Sequence, residues 1–430
     1  EVYGVAIDIG TTTVAAQLID LVNGFTVSKK GSYNKQARFG DDVISRIIHA
    51  SERPEGLAEL HQTIISTIND LLAELLQPGN LAAKDVLMVT VAANTTMTHL
   101  FLGLPPKYIR LEPYIPLAAA TPPVKAQELG INVNPEAYVV CFPSVASYVG
   151  GDIVSGTLVT NVAKDERVTL FIDIGTNGEM VLGNQDWLVS AACSAGPAFE
   201  GGGITYGMRA MKGAIDSVDI DPETFEVKVS TIGRCKARGI CGSGLIDCLA
   251  TFRNVGIIDR AGKMQTDIQT PRLRQSDEGW EFILVYGAES ESGRDIVITE
   301  NDIKNLLRAK AAVYAGIRSM LNAVQLEMEM IERVLIAGGF GNYLNIRDAI
   351  TIGLLPDLPA EKYTFIGNSS LKGARLALIS KEAWQEAQEL GEKITYLELS
   401  AGNDFMEEFM SALFLPHTDM SLFPSITNVK

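Results

Sequence analysis

The chain has 430 residues, of which 47% are hydrophobic and 20% are charged, a composition that indicates a globular protein with two or more domains. Its formal net charge of −16 argues against nucleic acid as a partner, since affinity for nucleic acid rests on Lys and Arg that neutralise phosphates. No apolar run reaches the roughly 18 residues of a membrane span. Five cysteines without a C-x-x-C pair predict no disulfide framework and favour a reducing cytoplasm.

The chain opens with a strand that ends in an acid–Gly–Thr turn. Three short β-strands are predicted within residues 2–33, and an Asn-Gly turn joins the second to the third. Asp8 lies at the end of the first strand, and Gly10 and a run of threonines that begins at Thr11 follow it. Such a turn offers backbone N–H groups and hydroxyls to phosphate oxygens. The carboxylate can hold a hydrated divalent cation.

Two helices and a buried strand follow. Residues 43–50 carry an apolar stripe at helical spacing (Val43, Ile44, Ile47 and Ile48) that we assign to the core, and residues 55–76 predict a longer helix. The almost wholly apolar residues 86–92 predict a central strand of a sheet with helices on both faces. This strand runs into Asn94, which stands where open α/β sheets place ligands and could equally do no more than cap the next helix.

A proline-rich segment then leads to a second acid. Residues 104–143 have no clear period and predict an irregular excursion or a partner-facing insertion. The following helix is predicted to start at Asp152 as its N-cap and to run to about residue 162. Because Asp152 lies shortly before the next strand, its carboxylate could reach a γ-phosphate or an attacking water.

The pentapeptide I-D-I-G-T of residues 7–11 returns at residues 172–176, around Asp173. Both copies follow an apolar β-type run and precede more strand-like sequence. An internal repeat of this kind indicates a duplicated structural unit. Two such turns facing each other would form a phosphate clamp.

The remaining motifs are loops and one long helix. Residues 193–203, which include Ser194 and Glu200, form a dense run of small residues and predict an active-site or contact loop. Residues 218–232 predict a hairpin, residues 245–254 a helix and residues 260–279 a solvent loop. Thr299 and Asp302 match a capping box for a helix to about residue 326 with a thin Ala/Gly face. A buried strand at residues 334–337 then ends in a glycine-rich turn that would let an adenosine lie against the backbone.

The ordered set D-I-G-T-T-T, D-I-G-T-N-G-E and A-G-G-F-G-N resembles the phosphate-1, phosphate-2 and adenosine motifs of the superfamily of acetate and sugar kinases, heat-shock ATPase chaperones and actin. This resemblance implies an α/β fold of duplicated ribonuclease-H-like lobes, the actin-like ATPase fold, with ATP in the cleft between them. The first lobe would span residues 1–165, with the proline-rich insertion near 104–143. The second would span residues 166–430 and carry the phosphate-2 and adenosine motifs.

The same resemblance implies roles for particular residues. Asp8 and Asp173 would hold Mg²⁺ through water, and Asp152 would be a third catalytic residue because it stands where sugar kinases keep an aspartate. The residues implied to bind the phosphates of ATP are Gly10, Thr11, Thr12, Thr13, Gly175, Thr176 and Asn177. The residues implied to bind adenosine are Gly338, Gly339, Phe340 and Gly341.

Three further segments, residues 91–103, 192–204 and 239–247, are similar to the reductive activators of corrinoid proteins. These proteins use ATP to return an inactive Co(II) corrinoid, a cobalamin-type cofactor, to Co(I) in acetogenesis and in methyltransferase systems. The resemblance implies a corrinoid protein as partner and an iron–sulfur electron donor. The cysteines of this sequence do not match an iron–sulfur pattern, so that centre is expected on a missing domain or a partner. The start at Glu1, without Met or signal peptide, fits a domain cut from a longer polypeptide.

Partner contacts and rival functions remain open at this stage. Asn94, Ser194 and Glu200 are candidates for facing the partner, with Ser194 the choice for a residue near the corrinoid. The Ala/Gly-rich helix face and the proline-rich segment predict a homodimer. One alternative is a small-molecule kinase in which Asp152 deprotonates an acceptor hydroxyl. Another is a chaperone-type ATPase without action on a metal cofactor.

Overall fold

The computed structural model describes residues 2–79, 81–277, 279–338, 344–399 and 403–426. By density of internal contacts the chain divides into two compact units. Unit 1 comprises Glu1–Phe171, Val181–Ala191 and Asn368–Leu397, and unit 2 comprises Ile172–Met180, Ala192–Gly367 and Glu398–Lys430.

The strands, in chain order, are β1 Tyr3–Ile9, β2 Thr13–Asp20, β3 Thr26–Tyr33, β4 Val86–Ala93, β5 Val124–Lys125, β6 Tyr138–Cys141, β7 Thr169–Ile174, β8 Gly178–Gly183, β9 Leu188–Cys193, β10 Ala214–Ile220, β11 Val227–Thr231, β12 Gly239–Ile240, β13 Leu273–Ser276, β14 Gly279–Val285, β15 Ile296–Thr299, β16 Arg333–Gly338, β17 Tyr363–Gly367 and β18 Thr395–Tyr396. The α-helices are α1 Val43–Glu52, α2 Gly56–Leu76, α3 Thr95–Leu102, α4 Ala126–Leu129, α5 Gly151–Thr160, α6 Gly242–Asn254, α7 Glu300–Ala323, α8 Ile346–Thr351, α9 Ser369–Ile379, α10 Lys381–Lys393 and α11 Asp404–Ala412.

The first large sheet has the strand order β3-β2-β1-β4-β6-β5. Strands β1, β2 and β3 form an antiparallel meander, while β1, β4 and β6 run parallel to one another. The inner strands β1 and β4 are largely buried because helices cover the sheet, whereas the edge strand β3 has no buried residue. The carboxyl ends of the three parallel strands therefore meet at one edge, and the turns that follow them lie together.

The second large sheet repeats this arrangement. Its strand order is β17-β16-β7-β8-β9-β18. In the reverse direction, the strands β9, β8 and β7 are followed by β16 and β17. In the first sheet, β3, β2 and β1 are followed by β4 and β6 in the same way. Strands β16 and β17 are parallel, as are β4 and β6. The repeated pentapeptide ends β1 in the first sheet and β7 in the second, so the duplicated actin-like α/β fold expected from the sequence is confirmed.

Two smaller sheets, β11-β10-β12 and β13-β14-β15, complete the topology. The hairpin predicted at residues 218–232 is β10–β11, and the capping box of Thr299 and Asp302 is present at the start of α7. None of the helices in the described ranges is long and apolar enough to span a bilayer.

Four expectations need correction. The segment 104–143 is not wholly irregular, because its last strand, β6, pairs with β4 inside the sheet. The loop expected at 260–279 contains β13, which pairs with β14. Asp152 is not an N-cap: Gly150 holds that position, and Asp152 lies in the first turn of α5. The thin face of α7 is buried against its own chain, where a Cβ on Gly316 would lie 2.6 Å from Met180, so this face is not available to a second copy.

Candidate active site

The first acid–Gly–Thr turn is a tight link between β1 and β2. The Gly10 N–H donates to the carbonyl of Thr13 at 2.8 Å, and a Cβ on Gly10 would lie only 2.7 Å from that oxygen. Thr11 is buried, and the Asn94 amide donates to its hydroxyl at 3.1 Å. Thr12 is half-buried and Thr13 is exposed. A side chain at position 10 would collide with the Thr13 carbonyl and force the turn open, which explains why this position is a glycine.

Asn94 caps α3, as one of the two readings of the sequence expected, and it also contacts the first turn. Its side-chain oxygen accepts the Met97 N–H at 2.9 Å and caps α3, while its amide nitrogen holds Thr11. Gly150, just before α5, packs on the link between β4 and α3 so closely that a Cβ on Gly150 would lie 2.4 Å from the Asn94 Cα. Asn94 is thus a buried part of the first turn and presents little surface to a partner.

Two half-buried aspartates lie at this edge of the first sheet. Asp8 is close to the end of β1 and Asp152 is in the first turn of α5. Burial raises the pKa of Asp152 to about 7, and the neighbouring charge of Asp8 adds to the rise. Burial also raises the pKa of Asp8. Two carboxylates that oppose each other's ionisation are relieved by a shared proton or a cation.

Asp8 has two partners that sequence reasoning missed. The Asn368 amide donates to one carboxylate oxygen at 2.7 Å and the Ser370 hydroxyl donates to the other at 2.8 Å. Both residues belong to the start of α9, which Asn368 caps. The helix comes close to α5, since a Cβ on Gly373 would lie 2.1 Å from the Ser155 carbonyl. The one available signal was the Asn-Ser-Ser run before Leu371, which is typical of a helix start.

The second turn is built differently, although the pentapeptide is the same. The Gly175 N–H donates to the Asn177 carbonyl at 3.0 Å, and the Thr176 hydroxyl donates to a carboxylate oxygen of Glu200 at 2.6 Å. Asp173, near the end of β7, is half-buried. Glu200 therefore supports the second turn from the small-residue loop, whereas Ser194 on the same loop is exposed.

The adenosine motif begins against this second turn. Gly338 has a φ of +107°, and a Cβ there would lie 2.2 Å from the Ile174 carbonyl and 3.1 Å from a carboxylate oxygen of Asp173. The other predicted adenosine residues, Gly339, Phe340 and Gly341, lie outside the described residues. The described part of the predicted motif thus packs closely against the end of β7, beside Asp173.

Comparison with known proteins gives matches over nearly the whole chain. Residues 3–165 match the family described as RACo middle region, and residues 167–427 match the family described as the C-terminal domain of RACo, the ASKHA domain. The structure of a protein named reductive activator for corrinoid, iron–sulfur protein is similar at a TM-score of 0.93, with 58% identity over 99% of this chain and 68% of that one.

Two curated relatives also align along the chain. The corrinoid activation enzyme RamQ of Eubacterium limosum is 34% identical over 95% of this chain and 70% of its own length. A protein of Methanosarcina barkeri named [Co(II) methylated amine-specific corrinoid protein] reductase is 26% identical over 96% of this chain and 76% of its own length. With these matches and the duplicated actin-like fold, the chain belongs to the RACo family and carries its ASKHA domain.

Proposed function

We propose that this chain is an ATP-dependent reductive activator of a corrinoid protein, which binds and hydrolyses ATP to promote the return of Co(II) corrinoid to Co(I). The observation that carries the proposal is the pair of acid–Gly–Thr turns, each at the end of a strand in the same position of a repeated sheet, in a chain of the RACo family. The relatives named as corrinoid activators supply the substrate class.

In unit 1, the turn at Gly10 binds phosphate oxygens through backbone N–H groups and the Thr11 hydroxyl. Asp8 is proposed to hold a hydrated Mg²⁺, because its carboxylate lies at the start of this turn and oxygen is the ligand that this cation takes. When bound, Mg²⁺ would neutralise phosphate charge. Asn368 and Ser370 hold Asp8 in place through both of its oxygens.

Asp152 is proposed as the general base toward the attacking water. Its pKa of about 7 suits a base that works near neutral pH, since the most effective catalytic pKa lies close to the operating pH. In unit 2, Asp173 is the second acid proposed to hold Mg²⁺ through water. The second phosphate-binding turn is formed by Gly175, Thr176 and Asn177. Gly338 is the first residue proposed to contact the adenosine.

The electrons are proposed to come from an iron–sulfur donor outside this chain. Four of the five cysteines are buried, and among the described residues no group of three or more His, Cys, Asp or Glu side chains could hold a metal ion. The exposed Ser194 is kept as the candidate nearest the corrinoid protein. We further propose that the protein works in the cytoplasm as a homodimer, through a surface other than α7.

The deciding experiment measures ATP hydrolysis and the corrinoid absorbance in the same reaction. ATP hydrolysis is measured with and without a Co(II) corrinoid protein, while the corrinoid absorbance is recorded in the presence of a low-potential chemical reductant. We expect the corrinoid protein to stimulate hydrolysis, and ATP to accelerate the appearance of Co(I). Hydrolysis that ignores every corrinoid protein, with the cobalt spectrum unchanged, would contradict the proposal.

The kinase alternative is supported by one observation, the raised pKa of Asp152, because a base of this kind could also deprotonate an acceptor hydroxyl. It is distinguished by the product. Transfer of the γ-phosphate to a sugar or a carboxylate, rather than release of inorganic phosphate, would favour the kinase.

A further inference from the structure

A buried polar cluster lies behind the first turn, on the 3₁₀ turn that follows β3 and its cap, and on the helices α1 and α3. We call Asn34, Gln36, Arg46 and Met97 the rear cluster. Asn34 and Met97 are 1% exposed, and Gln36 and Arg46 are 0% exposed. A guanidinium so deeply buried is costly unless each of its polar atoms is hydrogen-bonded. Its presence therefore needs a reason.

Every nitrogen of Arg46 has an acceptor. Nε donates to the Gly40 carbonyl at 2.9 Å, and Nη1 faces the Gln36 side-chain oxygen and the Met97 sulfur, both at 3.3 Å. Nη2 donates to the Thr11 carbonyl at 2.6 Å. All of these acceptors are neutral, and in the described part of the chain no carboxylate lies within ion-pair distance of Arg46.

Arg46 nevertheless stays charged. Burial lowers its pKa to about 10, while the charges of Asp41 and Asp42 oppose the fall. At neutral pH the side chain is a cation whose positive charge no direct ion pair cancels. The guanidinium is hydrogen-bonded directly to the first turn, through the Thr11 carbonyl.

The rear cluster fixes which way the turn's peptide groups point. The Gly10 carbonyl accepts from the Asn34 side-chain amide at 3.0 Å, the Thr11 carbonyl accepts from Arg46, and the Thr12 carbonyl accepts from the Asn34 N–H at 2.9 Å. In a trans peptide group the N–H points opposite to the carbonyl. The N–H groups of Thr11 and Thr12 therefore point away from the cluster, and successive N–H groups with one direction form an anion-binding concavity.

We propose that Arg46, together with Asn34, is a positioning residue for phosphate binding at the first turn. Arg46 and Asn34 hold the carbonyl groups of Gly10, Thr11 and Thr12 on the side of the rear cluster, so that the opposite side of the turn faces the phosphates of the nucleotide, and the guanidinium adds positive charge behind the turn. The inference rests on the proposed function, since it takes the phosphates to be those of ATP.

The test compares two variants with a matched control. Arg46→Met removes the cation and the Thr11 contact. Asn34→Asp keeps the acceptor that caps the following turn but replaces the donor to Gly10 with a carboxylate. Arg272→Met is the control, because Arg272 is also buried and also donates to two backbone carbonyls, those of Ile283 and Leu284. Its side-chain contacts given by the structure include none of the predicted site residues.

Affinities for Mg·ATP, ADP and adenosine are measured by calorimetry and competition, with thermal unfolding as a check of the fold. We expect Arg46→Met and Asn34→Asp to weaken ATP and ADP binding by about tenfold or more, which is about 1.4 kcal/mol. Adenosine affinity should change by less than roughly twofold, because the adenosine motif belongs to unit 2. Arg272→Met should lower only the unfolding temperature.

Three results would overturn the inference while leaving the proposed function intact. These are wild-type ATP affinity in both variants, an equal loss for ATP and adenosine, and the same phosphate-specific loss in Arg272→Met. If Arg46→Met does not fold, Asn34→Asp decides. Failure of the unmodified chain to bind ATP would instead refute the proposed function itself.

Discussion

Gly338→Ala offers a measurement of how tightly the adenosine motif is coupled to the second turn. The glycine has a φ of +107°, and its Cβ would lie 2.2 Å from the Ile174 carbonyl oxygen, where ordinary contact needs at least 3.4 Å. The two backbones must therefore separate by about 1.2 Å. The neighbouring atom is backbone and cannot rotate away, so the shift falls on the turn that follows Asp173.

Two effects add in this variant. Backbone strain at a positive φ costs about 1–3 kcal/mol of stability, and a displacement of about 1 Å at a catalytic site lowers the rate about a hundredfold. Gly256→Ala separates the two effects, because Gly256 has a φ of +78° with no atom within 4 Å of its Cβ. Gly256→Ala therefore introduces backbone strain at a positive φ but does not displace a neighbouring backbone.

The assay is inorganic phosphate release from Mg·ATP, with thermal unfolding of all three proteins measured in the same buffer. We expect both variants to lose stability and only Gly338→Ala to lose about a hundredfold in turnover. A folded Gly338→Ala protein that turns over ATP as fast as Gly256→Ala would show that the second turn is not part of the catalytic site.

Three other predictions concern the acids. Asp8→Ala and Asp173→Ala should each abolish Mg²⁺-dependent phosphate release, and wild-type release in either would remove that residue from the site. Ser370→Ala should lower turnover at least about tenfold, because a hydrogen bond to a charged group contributes about 1.5–3 kcal/mol. The exposed pair formed by Ser421, which also donates to an aspartate, gives the control Ser421→Ala. Burial and a nearby carboxylate raise the pKa of Asp348 to about 7 from 3.8, so the folded state retains a proton that the unfolded state releases, and stability falls as pH rises from about 4 to about 7. Asp348→Asn should flatten this part of the pH profile of Tm, and an unchanged profile would assign it to other groups.

The repeated turns could be predicted because their signal is local. Five residues after an apolar strand specify a tight link, and two copies specify a duplication, so neither conclusion required knowledge of distant packing. The strands that carry them and the capping box of α7 were predicted for the same reason. Local sequence was enough for these elements, although the pairing of β13 with β14, which also joins near neighbours, was missed.

The supports of the site could not be predicted in this way. Asn368 reaches Asp8 across 360 positions of the chain, and nothing near either residue indicates that pairing. Helix α1 shows a second kind of failure. Ile44 and Ile48, which we placed in the core, are 38% and 36% exposed, while Arg46 is fully buried. A hydrophobicity pattern places an arginine outside, because it does not show the acceptors that make burial possible, and one of them, the Thr11 carbonyl, lies 35 positions away.

Identical pentapeptides need not give identical chemistry. The Thr11 hydroxyl accepts a hydrogen bond from Asn94, which leaves its proton for an acceptor such as a phosphate oxygen. The Thr176 hydroxyl instead gives its proton to the Glu200 carboxylate at 2.6 Å, and a hydroxyl has one proton to give. Thr176 can donate to a phosphate only when Glu200 releases it. The phosphate binding proposed for the second turn would therefore depend on the position of Glu200 on the small-residue loop. At the first turn, no carboxylate among the described residues accepts a hydrogen bond from the Thr11 hydroxyl.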